Sequence, residues 1–139
     1  MKRKAILDAG VLAAILRRRD QYHSWANAQV DEIVVPMLTC EAVLSEAHFL
    51  LRDLPLARRA ISGMSEDGIF LIAFNYEEQK AFVSKLLEKY ADVPMSFADA
   101  CLVRMSELYP DSAVFTIDGD FKIYRRNGRQ QIPLIFPEK

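Results

Sequence analysis

A chain of 139 residues, 51% of them hydrophobic, is long enough to bury a sizeable core and short enough that one domain, residues 1–139, is expected. The 18 basic residues against 19 acidic ones exclude a protein held on nucleic acid by bulk charge, so such a partner would need a local basic patch. Two cysteines exclude a disulfide-built scaffold: Cys40 and Cys101 sit in apolar, helix-like surroundings and read as reduced thiols.

The chain starts basic, but Asp8 interrupts the apolar run before a signal-peptide core or membrane span could form, so a cytoplasmic protein without a membrane partner is expected. Lys4-Ala5-Ile6-Leu7 reads as a short buried strand that delivers Asp8 at its carboxyl end. A helix follows from Val11 to Arg18, and Asp20 is the expected N-cap of a second helix through Trp25 and Ala28. Ile33-Val34-Val35, ahead of Pro36, reads as the next strand.

From Thr39 to Arg52 the apolar residues Cys40, Val43, Leu44, Ala47, Leu50 and Leu51 recur at helical spacing. Glu46 lies at the edge of that stripe, while Glu41 falls with Ser45, His48 and Arg52 on the opposite, polar face. Leu54-Pro55 breaks into another helix that ends near Gly63, and Phe70-Leu71-Ile72-Ala73 is a third strand. Glu77 to Tyr90 reads as a helix with Phe82, Leu86 and Leu87 inward, and Ser96 begins one that runs to about Tyr109. Ala113-Val114-Phe115-Thr116 is the last strand, followed closely by Asp118.

Short apolar strands without clean alternation, separated by helices, predict an α/β fold with a parallel sheet of four to five strands covered on both faces. Such sheets bind ligands beyond the carboxyl ends of their strands, where the strand order reverses, and Asp8 and Asp118 stand there. Each acid also has a plain structural reading. Asp8 and Asp118 can start turns, Glu46 can be a solvated helix residue, and Ser96-Phe97-Ala98-Asp99 matches a capping box with aspartate in the usual glutamate place. The joint placement says more than any one residue, because close carboxylates repel and need a cation or protons.

These segments together resemble the PIN domain family and, within it, toxin-like nucleases of the VapC type. The resemblance runs through Ala5-Ile6-Leu7-Asp8 with Val11-Leu12-Ala13-Ala14, then Leu38 to Ala47, then Ser96-Phe97-Ala98-Asp99-Ala100, and finally Phe115-Thr116-Ile117-Asp118-Gly119-Asp120-Phe121. It implies that Asp8, Glu46, Asp99 and Asp118 hold Mg²⁺ or Mn²⁺ and catalyse phosphodiester hydrolysis of an RNA substrate. Thr116 matches the hydroxyl residue before the last acid, and Asp120 a frequent extra acid. Ala9-Gly10 departs from relatives that place serine or threonine after the first aspartate. An antitoxin protein and a homodimer are further implications, with Trp25, Phe49 and Leu56 as candidate interface residues.

Arg17, Arg18, Lys122, Arg125 and Arg126 are the basic residues expected to track an RNA backbone, while Arg58 and Arg59 read as a solvated face. Tyr22, Trp25 and Tyr124 are candidates for stacking on bases or for filling the core. His23 and His48 with the two cysteines lack zinc-site spacing, and no glycine-rich phosphate loop is present. The competing functions are a non-catalytic PIN-fold module for RNA binding or protein interaction, which would not need close carboxylates, and a phosphoacceptor signalling domain. The latter wants an aspartate ending a mid-chain strand, where this chain has the helix around Glu46.

Overall fold

The computed structural model describes residues 2–138. Lys4–Leu7 forms β1, and Ala5, Ile6 and Leu7 are all buried. Successive strand residues point to opposite faces, so three buried neighbours in a row require cover on both sides of the sheet. Helices α1 (Ala9–Leu16) and α2 (His23–Val30) lead to β2 (Met37–Thr39), which is followed by α3 (Glu41–Leu50) and α4 (Pro55–Glu66). After β3 (Phe70–Ile72) come α5 (Tyr76–Lys89), α6 (Phe97–Leu108) and β4 (Ser112–Phe115). A 3₁₀ turn at Gly119–Lys122 leads to a small antiparallel pair, β5 (Arg125–Arg126) and β6 (Gln130–Gln131), and to β7 (Leu134–Ile135).

The main sheet has five parallel strands in the order β3-β2-β1-β4-β7. From β1 the chain builds outward through β2 to β3 on one side, then returns to place β4 and β7 on the other. The order therefore reverses between β1 and β4, whose register runs from Lys4 opposite Ser112 to Leu7 opposite Phe115. The crevice that an α/β sheet offers a ligand opens beyond Leu7 and Phe115.

Several local expectations are corrected. The second strand is Met37–Thr39, not Ile33–Val35: Val34 and Val35 are exposed, and Ile33 makes only a single bridge to Arg3. Pro36 has no N–H to donate, so pairing resumes beyond it, where Met37 N donates to Ile69 O. Asp20 is not the N-cap of α2. Its carboxylate accepts from Tyr22 N in the turn ahead of the helix, which begins at His23. Helix α4 runs past Gly63 to Glu66. On α5 the buried residue is Val83, whereas Phe82 is exposed beneath the Arg104 guanidinium, 3.6 Å from its ring centroid. Leu50 on α3 is exposed too, while Cys40, Val43, Ala47 and Leu51 of the expected stripe are buried and Leu44 is half-buried against the core.

Trp25 is half-buried and packs tilted against Phe115 at 5.7 Å, so part of it belongs to the core, while Phe49 and Leu56 are exposed. Among the described residues no helix is long and apolar enough to cross a membrane. Ile6 lies at the centre of the sheet with no exposed surface, so Ile6→Ala should lower the unfolding free energy in urea by about 2–5 kcal/mol. Ile123→Ala, at an exposed position, should stay within about 0.5 kcal/mol of the parent, and equal effects of the two would contradict this core.

Candidate active site

Beyond the strand ends lies a cavity of about 310 Å³ whose lining includes Asp8, Glu46, Asp99, Asp118 and Asp120. Asp8 follows β1 directly and caps α1, its Oδ1 accepting from Ala9 N at 2.7 Å. The buried Thr116, just past β4, donates its hydroxyl to Asp8 Oδ2 at 2.6 Å and accepts from Asp118 N at 2.9 Å. One hydroxyl thus ties together the ends of the two central strands and the two acids they carry. Asp118 Oδ1 accepts from Asp120 N at 2.9 Å, which shapes the 3₁₀ turn.

Asp99 is held by the first turn of α6. Ser96 Oγ accepts from Asp99 N at 2.9 Å, and Ser96 N donates back to Asp99 Oδ2 at 3.2 Å, completing the capping box. The same Oδ2 accepts from the buried Tyr124 hydroxyl at 3.0 Å. Capping and site membership are therefore compatible roles: two donors hold one oxygen, and the side chain still borders the cavity. Tyr124 takes the core-filling one of its two expected roles, and its bond to Asp99 is the contribution the sequence did not indicate. It packs edge-on against Tyr90 and Phe121, so it fills the core and supports Asp99 from behind. A tyrosine inside a basic segment carried no signal of that role.

Glu46 projects from α3 at the mouth of the cavity, open to solvent on one flank. Glu41 and Ser45 are exposed as expected, yet they share a second cleft with Glu46 and the start of α6, so they do not lie on an opposite face. Burial lifts the Asp8 carboxyl from its ordinary value to about 7, against the Thr116 and Ala9 hydrogen bonds that favour its anion, and the charges of Asp99 and Glu46 push the same way. Asp99 is also raised, chiefly by burial and then by Asp118, and Glu46 by burial, Asp99 and Asp118. The cluster carries more negative charge than its surroundings compensate.

Among the described residues, no three His, Cys, Asp or Glu side chains are drawn together into a ready metal-ligand set. The carboxylates instead line a shared space, each of Asp8, Asp99 and Asp118 accepting hydrogen bonds from protein donors. Their all-oxygen chemistry suits a hard cation such as Mg²⁺ or Mn²⁺. The nitrogen and sulfur donors lie elsewhere: His23 Nδ1 contacts Ala14 O, His48 contacts Arg58, and Cys40 and Cys101 are buried free thiols.

The basic candidates divide. Arg126 is buried and donates to Ser106 O and Pro110 O, and Arg125 donates to the carbonyls of Lys122, Ile123 and Tyr124, so both serve the fold. Arg17 pairs with Asp53 at 2.8 Å, and the Lys122 ammonium lies over the Phe136 ring. Arg18 is exposed. A larger cavity of about 580 Å³ lies between the end of α1 and the start of α4, lined by Arg17, Arg18, Arg19 and Asp53 and by Leu54 to Ala57, and shares no lining residue with the carboxylate cavity.

A parallel α/β sheet whose switch point opens on a carboxylate-lined cavity defines an acidic-site α/β domain. The family model described as PIN domain matches residues 5–127, and the chain belongs to that family. No curated protein matches it. Its fold is similar to that of Mycobacterium tuberculosis VapC20, a sarcin-ricin loop cleaving toxin, with a TM-score of 0.77, 18% identity, and coverage of 86% of this chain and 94% of that one.

Because Asp8 is lifted from 3.8 to about 7, the folded protein without divalent cations keeps a proton there that the unfolded chain has already released. That stabilisation is complete below about pH 4 and is lost as pH rises through about 7. Asp8→Asn has no such proton to lose. Thermal melts in a chelator should show the variant declining less over this range and melting above the parent at about pH 8; a steeper decline in the variant would contradict the burial of an uncompensated carboxylate.

Proposed function

We propose that the protein is a metal-dependent ribonuclease that hydrolyses phosphodiester bonds of RNA, as the toxin of a toxin and antitoxin pair. The observation that carries this reading is the convergence of Asp8, Glu46, Asp99 and Asp118 on one cavity at the sheet's switch point. Membership of the PIN family supports nuclease chemistry, and the fold shared with a toxin that cleaves the sarcin-ricin loop supports RNA as the substrate class. An antitoxin is then the expected protein partner.

In this reading Asp8 and Asp99 would hold Mg²⁺ or Mn²⁺, with Asp118 and Glu46 completing the site or holding water, and Asp120 as a further acid in the same cavity. The bound ion supplies activation of water and stabilisation of charge on the phosphate. The chain's own contribution is orientation. Thr116 keeps Asp8 turned toward the cavity, and Ser96 with Tyr124 keeps Asp99 there. Glu46, at the mouth with its proton affinity raised, is free to take a proton from attacking water. Arg18 and Lys122 remain as exposed cations for the RNA backbone.

Asp8→Asn and Asp99→Asn should each reduce cleavage of single-stranded RNA by at least about 100-fold while the circular dichroism spectrum is unchanged; full activity in both would sink the assignment. Calorimetry should also find Mn²⁺ binding weakened by Glu46→Gln and unchanged by Glu41→Gln. A larger loss of Mn²⁺ binding at Glu41 would transfer the helix carboxylate's role to that residue.

We also propose a homodimer, supported by the exposure of the large apolar side chains Phe49, near the end of α3, and Leu56, in the first turn of α4. Light scattering should return twice the monomer mass, and a strictly monomeric protein at high concentration would reject it.

A further inference from the structure

Phe97 opens α6 immediately after the capping residue Ser96, two positions before Asp99, yet its side chain is 46% exposed. Tyr76, the first residue of α5, is equally exposed and meets it edge-on, with centroids 5.3 Å apart at 65°. The contact steadies Phe97 without covering it, so an aromatic surface stands beside the acidic centre. Exposed single aromatics are ordinary, but this one borders a cleft of about 500 Å³. Ser96, Phe97 and Ala98 form one wall, and Ala42, Ser45 and Glu46 contribute to the other.

Two features say what the cleft accepts. It shares Ser96 and Glu46 with the carboxylate cavity, so a ligand spanning both places one part among the acids and the next against Phe97. Its lining contains no lysine or arginine and includes Glu41 as well as Glu46, so it repels phosphate and welcomes N–H donors. Apart from Phe97 and the two glutamates the lining is alanine and serine, which leaves room for a flat group. Resting on the ribonuclease reading, we propose that this cleft receives an unpaired nucleobase next to the phosphate being cut, stacked on Phe97, with Glu41 favouring a base that carries an exocyclic amine.

A carboxylate accepts from the amino groups of cytosine, adenine and guanine, whereas uracil offers no amine. Base–aromatic stacking tolerates any base, so Phe97 supplies affinity and Glu41 supplies preference. Phe97 is therefore a positioning residue: it touches the base and not the reacting phosphate. An open cleft of this kind is reached by a base freed from a helix, as in a loop or single strand.

The test is steady-state cleavage of single-stranded RNA oligonucleotides with Mn²⁺, comparing the parent protein with Phe97→Leu, Phe97→Tyr and Glu41→Gln, alongside Mn²⁺ calorimetry. Phe97→Leu keeps bulk but loses the aromatic face, so KM should rise roughly 10-fold with kcat and Mn²⁺ affinity unchanged. Phe97→Tyr should restore KM, and Glu41→Gln should narrow the preference for amine-bearing bases over uracil beside the cut. An unchanged KM in Phe97→Leu, or an equal defect in Phe97→Tyr, would overturn the stacking role while leaving the ribonuclease reading intact. An unaltered base preference in Glu41→Gln would overturn its part. A parent protein that cleaves no RNA would instead remove the ribonuclease reading, and this inference with it.

Discussion

The hydroxyl of Thr116 is the contact on which the site depends. Buried at the end of β4, it donates to Asp8 at the end of β1 and accepts from the backbone of Asp118. Two acids from strands more than a hundred residues apart in the chain are thereby set in one frame, at the point where the sheet reverses its order. The hydrogen bond favours the Asp8 anion, but burial outweighs it, and the carboxyl stays partly protonated near neutrality without a cation. The protein thus holds the acid in the right place at a cost in stability that a bound cation would offset.

Asp99 both caps α6 and lines the carboxylate cavity. The capping box anchors the start of α6, and Tyr124 adds a second donor to the same oxygen. The support is rigid because Tyr124 is itself packed between Tyr90 and Phe121, and Tyr90 accepts from Arg125 N. The small β5–β6 hairpin beyond, turning at Asn127 and Gly128 with positive φ, holds Arg126 against the end of α6. The chain after β4 is therefore a brace for the site as well as the route to β7. This accounts for basic residues that serve carbonyl groups instead of facing solvent.

Acidic and basic groups are separated around the centre. Acidic walls at the switch point suit a cation, and the neighbouring cleft with Phe97 lacks cationic residues in its lining. Exposed cations such as Arg18 and Lys122 lie outside both. A polynucleotide crossing this surface would find its backbone and its bases favoured at different places, which sets direction without needing a strongly basic protein.

The sequence by itself determined the α/β class, the buried first strand, the positions of Asp8 and Asp118 after strands, and the Ser96 capping box, because each is encoded by neighbours in the chain. The phase of α3 also placed Glu46 at a helix edge, though solvent reaches it more than the apolar stripe implied. The remaining features depend on contacts between segments distant in the chain. Pairing with Phe70–Ile72 selected Met37–Thr39 over the more β-prone Ile33–Val35, since a strand exists where a partner's hydrogen bonds are available. Leu134–Ile135 became the fifth strand through β4 alone, being too short to announce itself. Burial withdrew Arg126 from the surface, and Tyr124 acquired its role from a residue 25 positions away. Carboxylates distant in sequence share one cavity because parallel strands all present their carboxyl ends to the same side, a consequence of topology that no local pattern contains.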